Sequence, residues 1–343
     1  MTSKHRFLDA DGLKRRPFSA ILPTLLVVAL TACTPVEPEV GGFPLENFPG
    51  VGEPPRVVLL DSGEGEKSEL RYRFSAGSIH EMVMTMTTRV SYPQGRAIQI
   101  PGIRVAIVLE VLEANEDRAR IHMSIPNDPD LVGTEGAPPE LVAKLREDLR
   151  IMSSLRGEAT VSSLGVTEET EYQIGTVPPG LDQILKSLDD MTKLYLFPVE
   201  PVGVGAQWKT LQRVPGPPMT AYKLETFELL KRTGSNVTLE MKMELSIPKQ
   251  TMVLPEAPPE VTVDVSAEVV GSSQGDGKIT LDLHSPAPWA RISAESAMKT
   301  TVRSGDEVSK MIMNMVMLVE VEPRTPEHAI EASESPPGDA EFD

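Results

Sequence analysis

Methionine recurs at every second position in three places: Met82, Met84 and Met86; Met241 and Met243; and Met311, Met313, Met315 and Met317 in the run MIMNMVM. Thioethers are soft ligands that select Cu(I), so one chemistry open to such rows is a copper site. They are also flexible and polarisable, suited to filling an irregular core or lining a site for an apolar molecule. On a strand, residues two apart stand about 6.6 Å apart along the axis, so sulfurs in one row do not converge on one ion without curvature or a second strand. The spacing therefore favours a cavity wall or a soft core and leaves an envelope copper-binding protein as a third reading.

Other chemistry is sparse. His80, His122, His284 and His328 are far apart and form no HExxH or HxH pair. No GxSxG elbow, no SxxK and no phosphate-cradling glycine loop is present. Asn127-Asp128-Pro129-Asp130 supplies loop oxygens without the alternation and closing glutamate of a calcium loop, and reads as a turn. Asn236-Val237-Thr238 matches a glycosylation sequon, a match too short to carry weight. The chain is expected to be non-enzymatic, with no cofactor, no catalytic residue and no metal site. An enzyme built on scattered Asp and Glu ranks below that reading.

Cys33 is the only cysteine. It follows basic Lys14, Arg15 and Arg16 and an apolar run from Ala20 to Ala32 that is too short to span a bilayer as a stable helix. A lone thiol cannot form an internal disulfide, so in an exported chain it calls for another use. Leu30-Thr31-Ala32-Cys33 resembles the lipobox of bacterial lipoproteins. That resemblance implies a signal peptide over residues 1–32, with a diacylglyceryl thioether and an N-acyl chain such as palmitate on Cys33. The chain would then be tethered to a membrane through Cys33, with each buried methylene contributing about 0.8 kcal/mol. Thr34 stands where inner-membrane lipoproteins often carry aspartate, which implies the outer membrane, on its periplasmic side or at the cell surface.

Without residues 1–32, which hold five basic and two acidic side chains, 28 basic and 48 acidic residues remain and the charge is about −20. Such a field repels phosphate backbones and disfavours nucleic acid bound through counterion release, so no nucleic-acid partner is expected. It also disfavours anionic headgroups, leaving the lipid anchor as the tether. No protein partner is identified by charge alone.

The elements that must position the methionines are mostly strands. Period-two alternation covers residues 79–90, 103–113, 119–125, 158–164, 220–230, 237–247, 261–269, 278–284 and 297–303. Asn115-Glu116-Asp117, Thr233-Gly234-Ser235-Asn236 and Asp276-Gly277 read as turns between them. Leu141, Val142, Leu145, Leu149 and Met152 have helical spacing, as do Leu181, Ile184, Leu185, Leu188 and Met191. The expected class is α+β: a large, curved, mostly antiparallel, half-barrel-like sheet with two amphipathic helices packed on it. Residues 33–55, rich in Pro, Gly and Glu, read as an extended tether; residues 56–325 as the folded domain, with a faint echo between 68–175 and 205–325; and residues 326–343 as a disordered acidic tail.

The segment FPVEPVGVGAQWK, with Pro201, Val202, Val204, Gly205 and Trp208, and the earlier YRFSAGS resemble an uncharacterised family of exported, β-rich bacterial proteins over about residues 68–320. In architecture the expected domain is also similar to half-barrel lipid-carrier lipoproteins. The function expected is that of a membrane-anchored envelope lipoprotein binding or carrying an apolar, lipid-like molecule, with the nine methionines of the three rows lining the site. The alternative is a structural or interaction lipoprotein with a solid core.

Overall fold

The computed structural model describes residues 45–50, 52–93, 97–173, 194–216, 219–253, 265–304 and 307–324. In chain order the strands are β1 (Arg56–Asp61), β2 (Glu64–Ser68), β3 (Ile79–Ser91), β4 (Ala97–Ala114), β5 (Arg118–Ser124), β6 (Asp130–Val132), β7 (Arg156–Ser162), β8 (Thr167–Gln173), β9 (Val202–Val204), β10 (Gln207–Gly216), β11 (Met219–Thr233), β12 (Asn236–Val253), β13 (Val265–Asp282), β14 (Trp289–Ser304) and β15 (Glu307–Arg324). One helix, α1 (Pro139–Leu149), is present among the described residues, continued by a 3-10 turn over Arg150–Ser154.

One antiparallel sheet dominates, ordered β1-β10-β11-β12-β13-β14-β15-β3-β4-β5-β7-β8, with β6 added beside β4. The meander β10 to β15 meets β3 through β15, where Met317 lies opposite Thr88 and Val319 opposite Met86. A small second sheet pairs β2 with β9.

The class is therefore all-β, and the α+β expectation is corrected. Residues 181–191, expected as the second helix, lie outside the described residues. Helix α1 starts with Pro139 in its first turn, where a missing N–H costs nothing. It half-buries Leu141, Val142 and Leu145 and buries Leu149, with Met152 of the next turn. Its 11 residues span only about 16 Å. Strands of 18 residues, such as β12, β13 and β15, reach about 60 Å. A helix of that length caps a corner and cannot form a covering layer.

The sheet curls. Val161 of β7 and Trp208 of β10 belong to one continuous core. Their strands stand nine places apart in the sheet order, and in a flat sheet would lie about 43 Å from one another. Two backbone segments bridge the gap at one end. The Phe197 N–H donates to the Leu164 carbonyl in the β7–β8 turn (3.0 Å), and the Trp208 indole N–H donates to the Leu196 carbonyl (2.9 Å). The Tyr72 N–H donates to the Ser163 carbonyl and the Arg73 N–H to the Leu283 carbonyl, both at 2.8 Å. These crossings carry Tyr72, Phe74, Tyr195 and Phe197 onto Trp208 and Phe227, so six of the 15 aromatic residues of the chain are gathered into one plug. Among the described residues the edge strands β1 and β8 make no ladder with each other, so the sheet is curled and open.

Glycines permit close approach between strands. Asp276 and Gly277, expected as a turn, lie inside β13, opposite Lys242 and Met241. A Cβ on Gly275 would stand 2.5 Å from the Ser293 carbonyl oxygen of the next strand, an approach open only to glycine. The Asp-Gly pair thus lies inside a long strand, where neighbouring strands approach closely, rather than at its end. By contrast, Asn115 does turn the chain, its side-chain carbonyl accepting from the Asp117 and Arg118 N–H groups. Gly234, at φ 60°, turns it between β11 and β12.

Candidate functional site: the inner face of the curled sheet

Alternation and register fix which side chains share the inner face. On β15 it is Met311, Met313, Met315, Met317, Val319 and Val321; on β3, Met82, Met84 and Met86 follow in register across the ladder. Met241 and Met243 occupy the same face of β12. The structure thus brings all nine methionines onto one face.

Their surroundings differ along the strands. Met82, Met84 and Met241 are buried in the core at the plug end, and Met86, Met243 and Met317 pack partly against it. Met313 is buried beyond that core, opposite Met298, while Met311 and Met315 are half-buried. Farther along, Ile98 and Ile100, paired with Val90 and Thr88, remain 51% and 39% exposed. The apolar lining therefore runs past the packed core toward the end of the sheet remote from the plug. Met298 continues the rows, and its signal was the in-phase position across from the methionine run rather than a run of its own.

Strands β10 and β11 interrupt the lining with polar groups. In phase with buried Phe227 and Leu229, β11 carries Glu225 and Lys223, opposite Thr210 and Gln212 of β10. The Lys223 ammonium pairs with one Glu225 oxygen at 3.2 Å, and the buried Thr210 hydroxyl donates to the other at 3.0 Å. Both charged side chains are mostly buried, 17% and 18% exposed. Tyr195 lies near: burial, and then the charge of Glu225, push its phenol above the usual tyrosine range. The signal for this group is two charges sitting in phase with the apolar positions of a strand, a local breach of the pattern that singles out unusual sites.

The remaining sequence candidates fall elsewhere. Cys33 lies outside the described residues, as does His328. His122 stands at a strand surface, 3.9 Å from Glu158, and His284 lies 3.7 Å from Asp282. His80 is half-buried, its ring nitrogens each 3.0 Å from a serine hydroxyl, Ser78 and Ser285. Burial lowers its pKa, and the negative charge of Asp282 partly offsets this. Among the described residues, no three of His, Cys, Asp and Glu converge as a metal site.

The motif FPVEPVGVGAQWK has a structural reading. Phe197, Val202 and Trp208 are buried. A Cβ on Gly203 would stand 2.1 Å from the Glu64 carbonyl oxygen, and Gly205 has φ 82°. Those glycines let β9 lie against β2 and aim Trp208 into the plug. The segment is therefore part of the framework, its buried residues packing the plug while Glu200 and Gln207 face outward.

Comparison with protein-family models finds no matching family, and no curated protein matches. Among solved structures, OccK1 of Pseudomonas aeruginosa aligns at 6% identity over 72% of this chain and 99% of that one, with a TM-score of 0.20. An outer membrane channel from Pseudomonas putida F1 aligns at 8% identity over 76% and 100%, with a TM-score of 0.19. Superpositions this loose assign neither fold nor function.

Proposed function

We propose that the protein is a non-enzymatic lipoprotein of the bacterial envelope, anchored through Cys33 to the outer membrane, whose curled sheet binds an apolar, lipid-like molecule on its inner face. One observation carries the ligand reading: the inner apolar rows outrun the core. Met82, Met84 and Met241 are packed, whereas Met311, Met315, Ile98 and Ile100 extend the same lining where it is half-buried or exposed. A solid-core protein would end its apolar rows where packing ends, since exposed apolar surface invites association. Methionine suits such a wall because an unbranched thioether adapts to guests of different shape.

The anchor reading rests on the lipobox resemblance and on the singularity of Cys33. Two experiments test the two parts separately. Cys33→Ser should release the protein from membranes after a salt wash; retention would overturn the anchor. A neutral apolar dye such as N-phenyl-naphthylamine should fluoresce on the unlipidated protein, and Met315→Glu should reduce this while the fold melts as before. No enhancement by the unsubstituted protein would overturn the ligand reading.

A further inference from the structure

The polar group on β10 and β11 gives the proposed apolar site a headgroup end. We infer that Lys223 and Gln212 form an anchor for the anionic head, carboxylate or phosphate, of an amphiphile whose tail lies along the methionine rows. This rests on the ligand reading above and deepens it.

Lys223 has three N–H donors, of which Glu225 takes one. Directly opposite, Gln212 is half-buried on the inner face, and its side-chain amide has no hydrogen-bond partner among the described residues. Both Glu225 oxygens are already engaged, by Lys223 and by the Thr210 hydroxyl. Glu225 is therefore a positioning residue that holds the ammonium in place, and the charged groups the site still offers a guest are the two remaining N–H donors of Lys223, beside the Gln212 amide. Free donors facing an apolar lining select an anionic acceptor with a hydrocarbon continuation.

The neighbours supply that continuation. Glu225 lies directly opposite Met243, and Lys223 opposite Leu245, on β12, so a head held at Lys223 places its first carbons against the methionine-bearing strand. A mostly buried ion pair is also a poor stabiliser, since apolar residues of the same volume often serve as well. Its interruption of an apolar row calls for a use beyond packing.

Cis-parinaric acid, a fluorescent fatty acid, and its methyl ester are the probes, titrated into the unlipidated protein. The acid should bind about tenfold more tightly than the ester, the scale of one added charge-assisted contact. Lys223→Met should abolish that preference, the acid losing more affinity than the ester, and Lys223→Arg should keep it. Gln212→Leu should reduce it by a smaller factor. Acetate, a carboxylate without a tail, should not displace the acid at matching concentrations.

Equal affinity for acid and ester in the unsubstituted protein would overturn the anchor and leave the apolar site standing, whatever the variants do. Binding of neither would overturn both. Displacement by acetate would overturn the amphiphile in favour of a simple anion site.

Discussion

The indole N–H of Trp208 reaches the carbonyl of Leu196 at 2.9 Å, and the next residue, Phe197, donates its own N–H to Leu164 in the β7–β8 turn. Two adjacent residues thus tie strands from opposite ends of the sheet order, and the curl of the inner face depends on them. Trp208→Phe keeps an aromatic ring while leaving the part-buried Leu196 carbonyl without its donor, which should cost about 1–3 kcal/mol. Trp208→Ala adds a cavity and should cost about 3–5 kcal/mol. Urea denaturation of both variants checks the order; a Trp208→Phe variant as stable as the unsubstituted protein would mean that the hydrogen bond contributes nothing to the curl.

Gly165 makes the same tie possible. It sits at φ 86°, and a Cβ there would lie 2.3 Å from the Tyr195 carbonyl oxygen. Gly136, at φ 83°, has nothing within 4 Å. Gly136→Ala should cost only the left-handed backbone penalty of about 1–2 kcal/mol. Gly165→Ala, which must also displace backbone, should lower the thermal midpoint well beyond that. Equal shifts would show that the 194–197 crossing moves freely.

His80 gives a pH dependence with a definite sign. Burial lowers its folded-state pKa below the ordinary histidine value of about 6.5. Between the two values the unfolded chain binds the extra proton, so His80 contributes stability above pH 6.5 that is lost as pH falls toward the folded value. The thermal midpoint of the unsubstituted protein should therefore drop more between pH 7 and pH 5 than that of His80→Asn. Parallel profiles would show that burial does not favour the neutral ring.

The methionine rows predict a gradient of stability along one face. Met241 is 2% exposed within the core, so Met241→Ala should cost about 2–5 kcal/mol. Met311, half-buried and outside that core, should cost under about 1 kcal/mol. Chemical denaturation of the two variants measures the difference, and similar costs would mean that the remote end of the face is as tightly filled as the plug end.

Much of this fold was legible from alternation alone. The strand spans around Met82, Met241 and Met311 follow from period-two patterning, and register then places all three rows on one face. The helical layer was misread because periodicity reports that a segment is amphipathic and not how much sheet it covers; Leu141, Val142 and Leu145 reach only half-burial. Asp276-Gly277 was misread because a glycine needed for close approach between strands and one needed for a turn look alike in sequence. The crossings at Tyr72 and Phe197 have no periodicity to betray them, being extended backbone whose partners are 91 and 33 residues distant in Ser163 and Leu164. Lys223 and Glu225 were visible only as charges in phase with Phe227 and Leu229, which gains meaning once that face is known to be the inner one.

The central claim, that the inner face holds an apolar molecule, is tested most directly by native mass spectrometry. Residues 34–343 would be exported, purified without detergent and weighed before and after organic extraction. The account predicts a reproducible excess mass that extraction removes and that Met243→Glu or Met315→Glu diminishes. A clean apoprotein mass from every preparation would contradict it and make the methionine rows soft packing.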